Sequence, residues 1–120
     1  HKGQNGKLLI VGGSYFYSGA PALAGLAALR SGIDIVQIVT HSCVANVVRS
    51  FSPDLIVRPL KGDYLLPEHV DDVLELSKDL DAILIGNGLG TSEETQLAIK
   101  ELIQKIEKPE KKSLRRFTIG

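Results

Sequence analysis

Lys7-Leu8-Leu9-Ile10-Val11-Gly12-Gly13-Ser14 is the stretch that decides the fold. Four apolar residues stand in an unbroken row and stop at two glycines. A strand with one wet face alternates apolar and polar residues. An unbroken row belongs to a strand covered on both faces, which is the condition of a parallel sheet. The next segment supplies the cover. Pro21 suits the first turn of a helix, Leu23, Leu26, Ala27 and Arg30 continue it, and Gly32 stops it. The alanines at 20, 22, 24, 27 and 28 carry little bulk, so this helix is expected to lie close on the sheet.

The same alternation repeats outward. Ile33 to Thr40 reads as a second strand, and Ser42 caps a short helix through Val44, Val47 and Val48. Leu55 to Arg58 reads as a third strand stopped by Pro59. Pro67 to Lys78 reads as a helix, with Glu68, Asp71 and Asp72 early, where the helix dipole favours them. Asp81 to Ile85 reads as a fourth strand opening into Gly86-Asn87-Gly88-Leu89-Gly90. Thr91 and Glu94 then have capping-box spacing, and Leu97, Ala98, Leu102 and Ile106 share one helical face. Strands alternating with helices predict an α/β fold of three layers, a mostly parallel sheet with helices on both faces.

Composition narrows the function classes. The chain has 120 residues, of which 43% are hydrophobic, as in an ordinary globular protein. Fourteen basic residues balance fourteen acidic ones, so no cationic surplus exists to follow a nucleic-acid backbone. The apolar runs are too short to span a bilayer, and the first residues carry no signal-peptide pattern. The single cysteine, Cys43, suits the cytoplasm and reads as a small buried hydrophobe beside Val44. The chain opens at His1, and from Lys108 to Gly120 it turns sharply toward Lys, Arg and Glu; both ends read as those of a fragment.

In open α/β sheets ligands bind beyond the carboxyl ends of the strands. Two glycine-rich segments occupy that position: Gly12-Gly13-Ser14 with Gly19-Ala20-Pro21, and Gly86 to Gly90. Glycine lets backbone approach a ligand, and the helix N-terminus beyond presents free N–H groups to anionic oxygens. Either loop alone reads equally as a tight turn. Neither is a Walker loop, and Gly86-x-Gly88-x-Gly90 lacks the Rossmann spacing. Two of them in one short chain point to a phosphate-bearing ligand. Tyr15, Phe16 and Tyr17 in the first loop suit a planar ring or a cover for the sheet edge. His1 and Lys2 read as exposed, His41 as a capped turn residue in preference to a functional one, His69 as solvated, Asp34 as a buried hydrogen-bonding group, and Asp79 and Asp81 as turn formers. No metal-ligand spacing and no Ser-His-Asp arrangement can be read.

The opening His1-Lys2-Gly3-Gln4-Asn5-Gly6-Lys7, the strand ending in Gly12-Gly13-Ser14, and Ser18-Gly19-Ala20-Pro21 leading to Ala27-Ala28-Leu29-Arg30-Ser31-Gly32 together resemble the NAD(P)H-hydrate dehydratase family. Gly86-Asn87-Gly88-Leu89-Gly90 resembles that family's Gly-x-Gly-Leu-Gly loop. The resemblance runs from His1 to Pro109. It implies a ribokinase-like fold and repair of hydrated NADH and NADPH, with ADP or ATP driving loss of water and Mg2+ compatible with the nucleotide. It also implies a cytoplasmic homo-oligomer of four or more copies acting on small-molecule nucleotides. By position, Gly19, Ala20, Gly88, Leu89 and Gly90 would bind the hydrated nicotinamide, with Ser14, Tyr17 and Asn87 nearby. Residues 1–109 would be the N-terminal part of the dehydratase domain, and 110–120 an atypical basic tail after a gap or truncation. The family's strand directly after Lys-Pro does not fit Glu110 to Arg116, and its later Gly-x-Gly-Asp loop, which bears the catalytic aspartate, is not found. An epimerase domain precedes this one in some relatives. A ribokinase-like small-molecule kinase and a non-catalytic nucleotide-binding half domain are the competing readings.

Overall fold

The computed structural model of the protein describes residues 6–15, 17, 19–86 and 88–106, and the backbone of 116–119. The chain runs β1 (Lys7–Val11), α1 (Gly19–Arg30), β2 (Ile35–His41), α2 (Ser42–Arg49), β3 (Ile56–Leu60), a 3-10 turn (Pro67–His69), α3 (Val70–Ser77), β4 (Ala82–Ile85), α4 (Glu93–Ile106) and β5 (Arg116–Ile119). The five strands form one sheet in the order β3-β2-β1-β4-β5, and every pairing is parallel.

This order explains where the helices go. From β1 the chain steps to β2 and β3, then returns past β1 to add β4 and β5 on the other side. Crossovers between parallel strands are right-handed, so reversing the direction of travel moves the helices to the opposite face. Two separate cores result. Ile10, Val36, Ile38 and Val57 pack with Ala22 of α1 and with Ala45 and Val48 of α2. Leu9, Val11, Val39, Ile83 and Ile85 pack with Val70 and Val73 of α3 and with Ala98, Leu102 and Ile106 of α4. Neighbouring residues of one strand thus serve different cores, which is why Leu8 to Val11 shows no polar position.

Asp81 does more than shape a turn. Its N–H donates to the Lys7 carbonyl at 2.9 Å, and its carboxylate accepts the Lys7 N–H at 2.9 Å, fixing β4 against the start of β1. At the end of α1 the Ile33 N–H donates back to the Ala28 carbonyl at 3.2 Å, the six-to-one bond of a Schellman stop around Gly32.

Four expectations change. Asp34 lies half-buried ahead of β2 rather than inside it. β3 runs through Pro59, which pairs in register with Thr40. It can do so because β3 is an edge strand, where the missing N–H costs no ladder bond. The cap of α4 is Ser92, one residue beyond Thr91: its hydroxyl accepts the Thr95 N–H at 3.2 Å. Finally, residues 116–119 within the expected tail form β5, pairing Ala82 to Ile85 with Arg116 to Ile119. Among the described residues, no helix is long and apolar enough to cross a membrane.

Candidate functional site

The reversal of chain direction falls between β1 and β4, and both glycine loops spring from the carboxyl ends of those two strands. The loops touch. Gly88 has φ +77, and a Cβ built on it would lie 2.8 Å from Tyr17 Cβ, 3.0 Å from the Tyr17 carbonyl oxygen and 3.5 Å from Ala20 Cβ. Only glycine permits both that backbone angle and that approach. The first loop is itself closed by a reciprocal pair of bonds, Ser14 N–H to Tyr17 O at 3.3 Å and Tyr17 N–H to Ser14 O at 3.1 Å. Gly13, at φ +83, keeps bare backbone against β2, since a Cβ there would sit 2.5 Å from Thr40 Oγ1.

Of the residues expected at the site, Ser14 and Tyr17 lie on the first loop, Gly88 and Gly90 on the second, and Gly19 and Ala20 open α1 beside them. A Cβ on Gly19 or Gly90 would meet nothing within 4 Å, so the space beside each is open. Gly88 is different: its lost side chain makes room for Tyr17 and Ala20, so it joins the loops rather than holding space for a ligand. Leu89 is 1% exposed and belongs to the core with Leu102 and Ile106. Its side chain therefore anchors the loop and does not line the crevice. Asn87, like Phe16, Ser18, His1 and Lys2, lies outside the described residues. Tyr17 is 58% exposed although its backbone is pinned, which leaves an exposed aromatic ring beside the two loops.

The two helix N-termini facing the site differ electrostatically. α4 begins with Glu93 and Glu94 and has its Ser92 cap in place, so its positive end is already compensated. α1 has no acidic residue in its first turn and begins with Gly19 and Ala20. That end is the one suited to an anionic ligand oxygen.

Three histidine and cysteine expectations are corrected. His41 is the last residue of β2 and 1% exposed, a buried strand residue and not a capped turn residue. Burial, then the neighbouring His69, pushes its pKa down to about 4, and the Asp63 carboxylate only partly opposes this. The ring is thus neutral at physiological pH. His69 is buried rather than solvated: its Nδ1 accepts the Leu66 N–H at 3.0 Å, so its proton is on Nε2, which donates to the Lys61 carbonyl at 2.8 Å. The two rings meet edge to face with centroids 5.8 Å apart. Cys43 is exposed, and partial desolvation followed by hydrogen bonding to Asp63 raises its pKa, keeping it a thiol rather than a nucleophile. The apolar groove on α4, lined by Gln96, Ile99, Lys100, Ile103 and Gln104, shares no residue with the glycine loops.

Sequence reasoning passed over Thr40 and set His41 aside as a turn residue in preference to a functional one. Both are buried polar residues at the carboxyl end of β2, beside the first loop, and each has an unpartnered polar atom. The polar pair ending an otherwise apolar strand was the available signal. Among the described residues, no group of three or more His, Cys, Asp or Glu side chains could hold a metal ion.

Comparison with known proteins shows the family and the fold. Residues 8–109 match the family model described as NAD(P)H-hydrate dehydratase. The bifunctional NAD(P)H-hydrate repair enzyme of Methanothermobacter thermautotrophicus is 47% identical over 111 residues, which are 92% of this chain and 21% of that protein. The chain therefore spans about a fifth of the length of the curated relatives of this kind that it matches. The ADP/ATP-dependent NAD(P)H-hydrate dehydratase of Bacillus subtilis, co-crystallised with ATP/Mg2+, superposes with TM-score 0.60 at 27% identity over 83% of this chain and 35% of its own. A ribokinase-like superfamily protein of Enterococcus faecalis has TM-score 0.73 over 96% of this chain and 37% of its own; at 22% identity it shows the fold alone.

Proposed function

The chain belongs to the NAD(P)H-hydrate dehydratase family, and we propose that its two-loop crevice holds the hydrated nicotinamide of NADH or NADPH while a nucleotide-dependent reaction removes the added water. The observation that carries this reading is the closure of Gly88 onto Tyr17 and Ala20 at the point between β1 and β4 where the chain reverses. In such sheets that point is the ligand crevice. Residues 1–109 then act as the substrate-side part of the domain.

Dehydration breaks a carbon–oxygen bond on the ring and removes a proton from its neighbour, restoring the double bond. Hydroxide leaves poorly, and the nucleotide, ADP or ATP, supplies when bound the means to make it a better leaving group. This chain's own contribution is binding and orientation. The exposed Tyr17 ring offers a face to the nicotinamide ring, the space beside Gly19 and Gly90 admits it, and the start of α1, with no acidic residue in its first turn, favours its phosphate oxygens. Holding the ring in one pose brings most of the benefit of proximity. Among the described residues no three His, Cys, Asp or Glu side chains stand together to hold a metal ion, so Mg2+ would be held chiefly by the phosphates of the nucleotide.

The same reading includes a cytoplasmic homo-oligomer of four or more copies. The exposed apolar side chains of Leu23, Val47, Phe51 and Ile56 support self-association, and the thiol form of Cys43 suits a reducing compartment. Sedimentation of the full chain measures the first.

The test is an assay on the full chain with hydrated NADH and either ADP or ATP. Nucleotide-dependent return of NADH absorbance is the expected result. Phosphorylation of an alcohol substrate with no return of NADH would overturn the reading in favour of a small-molecule kinase.

A further inference from the structure

Among the described residues, three buried side-chain polar atoms have no hydrogen-bond partner: Ser14 Oγ, Thr40 Oγ1 and His41 Nδ1. Folded proteins leave few such atoms unpaired, and each exception calls for a cause. These three are not scattered. They sit just past β1 and at the last two positions of β2, strands paired side by side through Val11 and Val39, with the Gly12 N–H donating to the Val39 carbonyl at 3.1 Å.

The fold can satisfy buried hydroxyls elsewhere. Thr95, 0% exposed, donates to the Leu65 carbonyl at 2.8 Å and accepts from Ser92 at 2.9 Å. Ser77 donates to the Leu74 carbonyl at 2.7 Å. The lack of partners is therefore peculiar to the carboxyl edge.

Ser14 and Thr40 flank Gly13. The Thr40 hydroxyl is aimed at it, since a Cβ on Gly13 would fall 2.5 Å from Thr40 Oγ1. Ser14 has spent its backbone N–H and carbonyl on Tyr17, which leaves its hydroxyl as its one uncommitted polar group. His41 points to the opposite face of β2, against His69, and is not part of this pair. A hydroxyl both donates and accepts, so two of them match a neutral group that does the same.

We propose that Ser14 Oγ and Thr40 Oγ1 extend the crevice from β1 to β2 and hydrogen-bond the carboxamide of the hydrated nicotinamide ring. This rests on the reading above and deepens it by naming specificity-determining residues for that substrate. The carboxamide carries both an N–H donor pair and a carbonyl acceptor, and hydration of the ring leaves it in place. Unpaired hydroxyls beside an uncharged crevice wall would also discriminate against a ring lacking that group.

The test uses the full chain, Thr40→Val and Ser14→Ala variants, and hydrated NADH as the probe, with thermal unfolding measured in parallel. Removing an unpartnered hydroxyl leaves the unliganded protein as stable as before or more so, while losing one ligand hydrogen bond weakens binding about tenfold. Thr40→Ser, which keeps a hydroxyl, restores most of the affinity. Stability held and affinity lost is a combination that a purely structural role would not produce. If wild type binds hydrated NADH and Thr40→Val binds it equally well, the proposal falls and the functional reading stands. If wild type does not bind it, both fall.

Discussion

Two regions of this small sheet treat buried polar groups in opposite ways. Around the start of α3 and α4 they are fully spent. His69 uses both ring nitrogens to hold the loop from Lys61 to Leu66, and Thr95 and Ser92 close the first turn of α4 while gripping Leu65. At the ends of β1 and β2, Ser14, Thr40 and His41 are equally buried and have a free polar atom each. The first region is built to be stable. The second forgoes stability that an apolar side chain would provide, and proteins make such concessions where they bind. The difference separates residues that hold the fold from residues available to a ligand.

The largest effect is expected at the junction of the loops. Gly88→Val combines a left-handed backbone angle with a clash against the Tyr17 backbone at 3.0 Å, and should cost about 3 kcal/mol in a denaturant titration. An unchanged midpoint would mean that the loops do not meet as described. Acid should expose the second effect. His41 is held near a pKa of about 4 in the fold against 6.5 unfolded, so between those values the unfolded chain binds more protons. Stability from this source is complete above pH 6.5 and lost as pH falls through the window to about 4. His41→Leu should flatten that part of the pH profile, and an undiminished slope would assign the acid sensitivity elsewhere.

Thr95→Val comes next. It strips the Leu65 carbonyl and the Ser92 hydroxyl of partners and should cost about 2 kcal/mol. Thr40→Val is the matched substitution in the other region, and its stability change should be near zero or favourable. Equal costs at the two threonines, read from unfolding midpoints, would erase the contrast between the regions.

Much of this was legible beforehand because burial on both faces forces a parallel strand to be apolar throughout, and two interior strands, β1 from Leu8 on and β4, carry that mark. The two loops were legible through glycine. What escaped depends on partners distant in sequence. β5 follows a run of charged residues and is defined by its pairing with β4. Pro59 reads as a stop unless β3 is known to be an edge. His41 reads as a turn residue and His69 as a solvated one although the fold buries both, and Cys43 reads as apolar although α2 turns it outward. Gly88 stands out in the sequence as a loop glycine, but its immediate neighbour is Tyr17, a contact across 71 residues that no local pattern announces.

The central claim is that the adjoining glycine loops are the ligand crevice. Backbone amide chemical shifts of the full chain, followed during titration with hydrated NADH, test it most directly. The account predicts that the largest changes fall on Ser14, Tyr17, Gly19, Ala20, Gly88 and Gly90, with the outer flank of α4 unmoved. Saturable binding that leaves those six amides in place and shifts Gln96, Ile99 or Ile103 would contradict it.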